Sequence, residues 1–107
     1  MNDIAREYPL KDWVQEKLSS DHVDKVVEER GHTHGSYQEG ARVIQSIKRL
    51  FHQEPGWMDL DACQKESMDM IATKCGRILC GDQNAIQHWE DLGGYSKLII
   101  DRIKARK

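Results

Sequence analysis

Glu66, Asp69 and Asp91, with Lys74 and Arg77 between them, are spaced so that all five could share one chemistry. At about 100° per residue Glu66, Met70, Thr73 and Arg77 fall on one helical face, with Asp69 and Lys74 at its edges. The next apolar-periodic segment carries Gln87, Asp91 and Gly94 on a common side. If those polar sides meet, carboxylate oxygens cluster beside two cations. One occupant of such a cluster is a hard divalent cation such as Mg²⁺, bridging the carboxylates to the phosphates of a nucleotide. The other reading is salt bridging to Lys74 and Arg77 across a helical hairpin, and the residue types leave both open.

A second polar group runs from Arg30 through His32 and His34 to Tyr37, bracketed by Gly31 and Gly35. It reads as a loop. Its backbone N–H groups, Arg30 and His34 could hold a phosphate or another anion, or it could be a surface loop with ordinary histidines. A zinc site there lacks a thiolate or histidine companion at a recognised spacing, although His88 could approach in space. Cys75 and Cys80 are five residues apart, which is no recognised zinc spacing either. Trp89 and Tyr95 could stack on a base, but on an amphipathic helix their positions suit core packing. The nucleophile elbow, the P-loop and the dinucleotide glycine pattern are all missing from the chain.

The elements that must position these groups read as helices throughout. Pro9 opens a short one carrying Leu10, Trp13, Val14 and Leu18. Ser20 or Asp21 can cap a second, with Val23, Val26 and Val27, which Gly31 is predicted to close. Ser36 and Glu39 form an S-x-x-E capping box that opens a helix over 36–54, whose apolar stripe is Tyr37, Ala41, Val43, Ile44, Ile47, Leu50 and Phe51. Asp59 or Asp61 can cap a helix over 59–80, with Leu60, Cys63, Ser67, Ile71, Cys75 and Ile78 inward and Met68, Ala72 and Leu79 widening the stripe. Gly81 is a natural cap, and Asp82-Gln83-Asn84 is turn chemistry that lets a last helix, 86–105, double back. Its predicted core stripe is Ile86, Trp89, Leu92, Ser96, Ile99 and Ile103. Gly93-Gly94 inside that helix lowers its propensity by about 1 kcal/mol per glycine, which close approach of another backbone or of a ligand would explain. The expectation is a single all-α domain over 1–107, a small antiparallel bundle of about five helices. In it 1–31 is peripheral and 36–105 forms the core.

With 107 residues, 32% of them charged and 38% apolar, a monomer is thinly cored, so a homo-oligomer, with a dimer favoured, is expected. A net charge of −2 and a pI near 6.2 argue against general DNA binding and against anionic lipid. The basic run Arg102 to Lys107 suits the end of a helix. No segment has the length of a membrane span, and charges interrupt the N-terminal residues too early for a signal peptide. Cys63, Cys75 and Cys80 lie within apolar patterns, as buried thiols of a cytoplasmic protein would.

Taken together, Arg30-Gly31, Thr33-His34-Gly35, Lys48, Glu66, Met70-Ile71, Lys74, Arg77-Ile78, Gly81, His88-Trp89, Asp91 and Gly94-Tyr95 form an ordered pattern. The order resembles R-G-x-T-H-G-x-F/Y, then E-A-x-x-M-I-x-x-K-x-x-R-I-x-x-G, then D-x-W-x-D-I-A-G-Y, found in a family of small phage and prophage proteins without an assigned activity. The resemblance covers roughly Glu29 to Arg102. It implies a protein of a bacterial host's cytoplasm and supplies no activity; that the chain binds a host protein or nucleic-acid component without catalysis is expected instead from Gln87 and from the absence of an E-x-x-E pair. More distantly, facing acidic helices resemble the all-α MazG-like nucleoside triphosphate pyrophosphohydrolases, which hold Mg²⁺ through E-x-x-E on one helix and E-x-x-D on the next. Glu66 to Asp69 is E-x-x-D, but the nearest counterpart of the first pair is Asp21-His-Val-Asp24. In the phage pattern the first acid of D-x-W-x-D is Gln87 here, which offers a carbonyl oxygen without charge. Mg²⁺ is thus implied only by the nucleotide reading, in which Glu66, Asp69 and Asp91 hold it.

Overall fold

The computed structural model describes residues 20–106, and among them every regular element is helical. They form α1 (Ser20–His34), α2 (Tyr37–Gln53), α3 (Ala62–Cys80) and α4 (Ile86–Ala105), with a 3-10 turn, Pro55–Asp59, between α2 and α3. The helix expected from Pro9 to Leu18 lies outside the described residues. The chain divides into two compact units, Met1–Arg30 and Gly31–Lys107. In the first, the described residues belong to α1, with Val23 and Val27 exposed and Val26 half-buried. The second holds the remaining helices.

Helix boundaries follow local chemistry closely. Ser36 caps α2, its hydroxyl accepting from the Glu39 N–H at 3.4 Å. The reciprocal half of that box is replaced, because the Glu39 carboxylate accepts from Arg42 Nε at 3.1 Å. The complete box occurs at α3 instead. Asp61 Oδ1 accepts from the Gln64 N–H at 2.8 Å, and Gln64 Oε1 accepts from the Asp61 N–H at 2.9 Å. Asp61 also receives Arg106 Nη2 at 2.6 Å, so the basic run at the end of α4 reaches the start of α3 rather than its own carbonyls. The Gln64 N–H and then Arg106 hold the Asp61 carboxyl below its ordinary range.

The expected loop from Arg30 to Tyr37 is corrected. α1 runs through Gly31 to His34, and the stop predicted at Gly31 is made four residues later by Gly35, whose φ is +77°. A glycine inside a helix loses about 1 kcal/mol of propensity but breaks nothing. The Gly35 N–H still donates to the Gly31 carbonyl at 3.1 Å. Arg30 and His32 are consequently helical residues.

α3 packs against both α2 and α4. Gly76 lets α2 approach, since a Cβ there would stand 2.2 Å from Ile44 Cγ1. The core is thin: among the described apolar residues only Ala72, Ile78 and Ala85 are buried, and the largest fully buried side chain is His88. Several residues assigned inward face outward: Tyr37, at 90% exposure, Leu50, Cys63, Leu79, Ile86, Trp89, Ser96 and Ile103. In α4 the inward side is His88, Leu92, Tyr95 and Ile99. Leu92 and Ile99 are shared, and the inward side is therefore rotated from the predicted stripe by roughly 65°, about two-thirds of the 100° step of one residue. Periodicity groups the residues on a face, while the neighbouring helix decides which face turns in. No described helix is long and apolar enough to cross a membrane.

Candidate functional site

Three stretches distant in sequence meet at the C-terminal end of α3. Gly81 closes that helix, its N–H donating to the Arg77 carbonyl at 2.9 Å. The following Asp82 N–H donates to the Thr33 carbonyl at 3.1 Å, and the same oxygen accepts from His88 Nε2 at 3.2 Å. Both partners of that carbonyl come from beyond α3. His88 is 1% exposed, and its ring stands edge-on to that of His34, centroids 4.9 Å apart at 74°. Thr33 Oγ1 is hydrogen bonded to His34 Nδ1 at 2.6 Å. Two glycines make the approach possible, because a Cβ at Gly35 would lie 1.9 Å from the Cys80 carbonyl oxygen and one at Gly81 2.3 Å from that of Thr33.

The turn leading into α4 is built from its own polar groups. Asp82 Oδ1 accepts from the Asn84 N–H at 2.9 Å, and its carbonyl accepts from the Ala85 N–H at 3.2 Å. Gln83 ties back to the Ile78 carbonyl through Nε2 at 3.1 Å and takes the Trp89 indole N–H on its own carbonyl at 2.8 Å. Trp89 is thus a surface residue, 53% exposed, laid on the turn.

One turn further along α4, Asp91 meets α3. Its carboxylate accepts from Lys74 Nζ at 2.8 Å; the lysine side chain is 10% exposed and the aspartate 45%. The Lys74 hydrogen bond holds the Asp91 carboxyl below its ordinary range against a smaller desolvation, with the charges of Lys74, His88 and Arg77 adding to the effect. Because the folded state depresses this pKa, the stabilisation is complete above the ordinary aspartate value near 3.8 and is lost as pH falls through the depressed one. Asp91→Asn is expected to flatten the acid limb of the stability curve below about pH 4, as acid unfolding followed by circular dichroism would report. An acid limb identical to the parent's would remove Asp91 from the titration. The difference shrinks with added salt, since half of the aspartate faces water.

The sequence-selected residues are therefore only partly gathered. Lys74 and Asp91 come together, with the charge of Arg77 acting on the same carboxylate, and His34 joins His88 at the adjacent junction. Asp69 is turned elsewhere: its carboxylate accepts from His52 Nε2 at 2.8 Å, on α2. Glu66 and Gln87 are exposed, Tyr95 is half-buried, and Arg30 belongs to the first unit. Among the described residues no three His, Cys, Asp or Glu side chains are grouped so as to hold a metal ion, so Glu66, Asp69 and Asp91 form no such group. His52 and the keystone role of His88 were not foreseeable from spacing, since neither falls within a helical turn of its partner. Comparison with protein-family models, with curated proteins and with solved structures finds no match.

Proposed function

We propose that this chain is a non-catalytic binding protein of the small phage and prophage type, which acts by docking on a host component. The observation that carries the proposal is the pairing of the carboxylates: Asp91 is taken by Lys74 and Asp69 by His52, each at 2.8 Å. Carboxylates engaged one by one by separate partners within the fold are poor sources of the clustered oxygens that Mg²⁺ requires. Large apolar side chains such as Tyr37, Met58 and Leu98, which the thin core leaves outside, supply contact area for a protein partner. The reading includes the finer architecture expected from the sequence, a single domain built as an antiparallel bundle of about five helices, in a bacterial cytoplasm.

The alternative, a Mg²⁺-dependent MazG-like pyrophosphohydrolase or nucleotide-binding relative, is favoured by a different observation. Lys74 holds the Asp91 carboxylate at 2.8 Å and the charge of Arg77 also acts on it, so a phosphate entering there would find positive charge in place. Isothermal titration with a panel of nucleoside triphosphates, with and without Mg²⁺, separates the two. Silence in both conditions, with host-protein binding that survives EDTA, is the expected result. Pyrophosphate release that Asp91→Asn abolishes would establish the enzyme and end the binding reading.

A further inference from the structure

The outward face of α4 has a regular pattern of its own. Ile86, Trp89, Gly93, Ser96, Ile100 and Ile103 follow one another at intervals of three and four residues, and all are exposed. That is the a/d spacing of a helix built to pack on another helix along a seam. The side chains are graded along it: large at both ends, small in the middle. Gly93 is the informative position. A Cβ there would meet nothing within 4 Å among the described residues, so their packing gives no reason for a glycine that lowers helix propensity by about 1 kcal/mol. A second backbone passing over Gly93 and Ser96 supplies that reason.

We infer that this face joins two copies of the chain through an antiparallel, two-fold α4–α4 contact. Reversing one copy about a point between Gly93 and Ser96 places Gly93 against Ser96 of the second copy, Trp89 against its Ile100 and Ile86 against its Ile103. Small meets small, and large meets large. The flanking charges select this direction. Glu90 and Lys97, both exposed, follow the seam residues on the same side and stand seven positions apart. Lys97 Nζ also holds Asp101 of its own helix at 2.9 Å, an exposed pair that leaves its other donors open. In the antiparallel register Glu90 faces Lys97 of the second copy, and symmetry repeats the pair. In a parallel register the same row would face Ala85, Leu92 and Ile99, which carry no charge and are turned toward their own α3. A helix of this length is about 30 Å long, enough to bring the contact toward the roughly 800 Å² per partner of a standard interface. Two thin cores then become continuous through their exposed apolar side chains. The contact is independent of whether the acidic pairs serve binding or catalysis.

The full-length chain is the material for the test, in sedimentation equilibrium over a wide concentration range. The expected result is twice the chain mass, with dissociation only on dilution. Gly93→Leu should weaken the dimer about a hundredfold, because its side chain is accommodated by the monomer but not by the seam. Should that variant unfold, the charge variants still decide. Glu90→Lys or Lys97→Glu alone should weaken the dimer about tenfold through two symmetry-related pairs, and the two changes together should restore it. Circular dichroism of each variant separates loss of association from loss of helix. A monomer at all concentrations would overturn the contact, as would a dimer indifferent to Gly93→Leu and to both charge reversals. A dimer weakened by either single reversal and not restored by the double would overturn the antiparallel register.

Discussion

Gly81→Ala is expected to destabilise the folded chain by about 3 kcal/mol, the upper part of the range for overpacking, and to lower its melting temperature by roughly 15 °C. The new methyl group would stand 2.3 Å from the Thr33 carbonyl oxygen and 2.6 Å from the His34 carbonyl carbon. Both are backbone atoms, so no rotamer change can relieve the contact. Two bonds hold that backbone in place, Asp82 N–H and His88 Nε2 to the Thr33 carbonyl, and moving it aside stretches both. The loss therefore combines steric repulsion with a fully buried imidazole left without its acceptor. Urea unfolding monitored at 222 nm measures it. Gly94→Ala is the control, since a Cβ there meets nothing within 4 Å and the same exchange should stabilise the helix by about 1 kcal/mol. A Gly81 variant as stable as that control would show that the approach of Thr33–Gly35 to the end of α3 is not tight.

What was legible in the sequence, and what was not, divides by the range of the interaction. The α2 and α4 boundaries, the Ser36 cap and the turn after Gly81 are set by neighbours within four residues, and each was readable from residue type and spacing. The expected loop at Arg30 to Tyr37 failed for a related reason. Gly31 and Gly35 are identical as local signals, and only the seat of Gly35 against Cys80 distinguishes the one that ends the helix. The pairing of the carboxylates was beyond local reading altogether. Asp69 could pair with Lys65, one turn back on its own helix, yet it takes His52, 17 residues away, and the Thr33 carbonyl takes His88, 55 residues away. Lys74, placed at the edge of a polar face, is buried because α4 lies over it and brings Asp91 with it.

The residues on which the expected likeness to small phage proteins rests include those that build the junction. Thr33, His34, Gly35, Gly81 and His88 lie within or beside its three blocks and meet across the end of α3, and one turn along α4 Asp91, from the third block, holds Lys74. Glycines without room for a Cβ, a buried imidazole and a buried lysine all have packing reasons to be those residue types. A motif of this kind is accounted for by the joint it makes, and a ligand is not needed to explain it. That physical reason places the binding reading ahead of the catalytic one. It also shifts attention from the polar motif to the exposed apolar faces as the working surface.

Gly35→Ala is expected to be the most damaging single exchange in the chain, at about 4 kcal/mol. Two independent costs fall on one atom. At a φ of +77° an L side chain is strained by roughly 1–2 kcal/mol, and the Cβ would also stand 1.9 Å from the Cys80 carbonyl oxygen. Asparagine, which tolerates left-handed backbone, separates them: Gly35→Asn should relieve much of the strain while keeping the clash, and should therefore recover only a minor part of the loss. Full recovery by asparagine would mean that conformation alone dictates the glycine and that Cys80 is not in contact. The double exchange Gly35→Ala/Gly81→Ala carries the argument furthest. Both glycines serve the same meeting of Thr33–Gly35 with Cys80–Gly81, so once one methyl group has opened the joint the other finds space. The double variant is expected to be little worse than Gly35→Ala alone, a coupling of about 2–3 kcal/mol, whereas simple addition of the two losses would show two separate contacts. With a core this thin the parent's stability belongs at the lower end of the usual range of about 5–15 kcal/mol, so the cycle is best measured at low temperature or in a stabilising osmolyte.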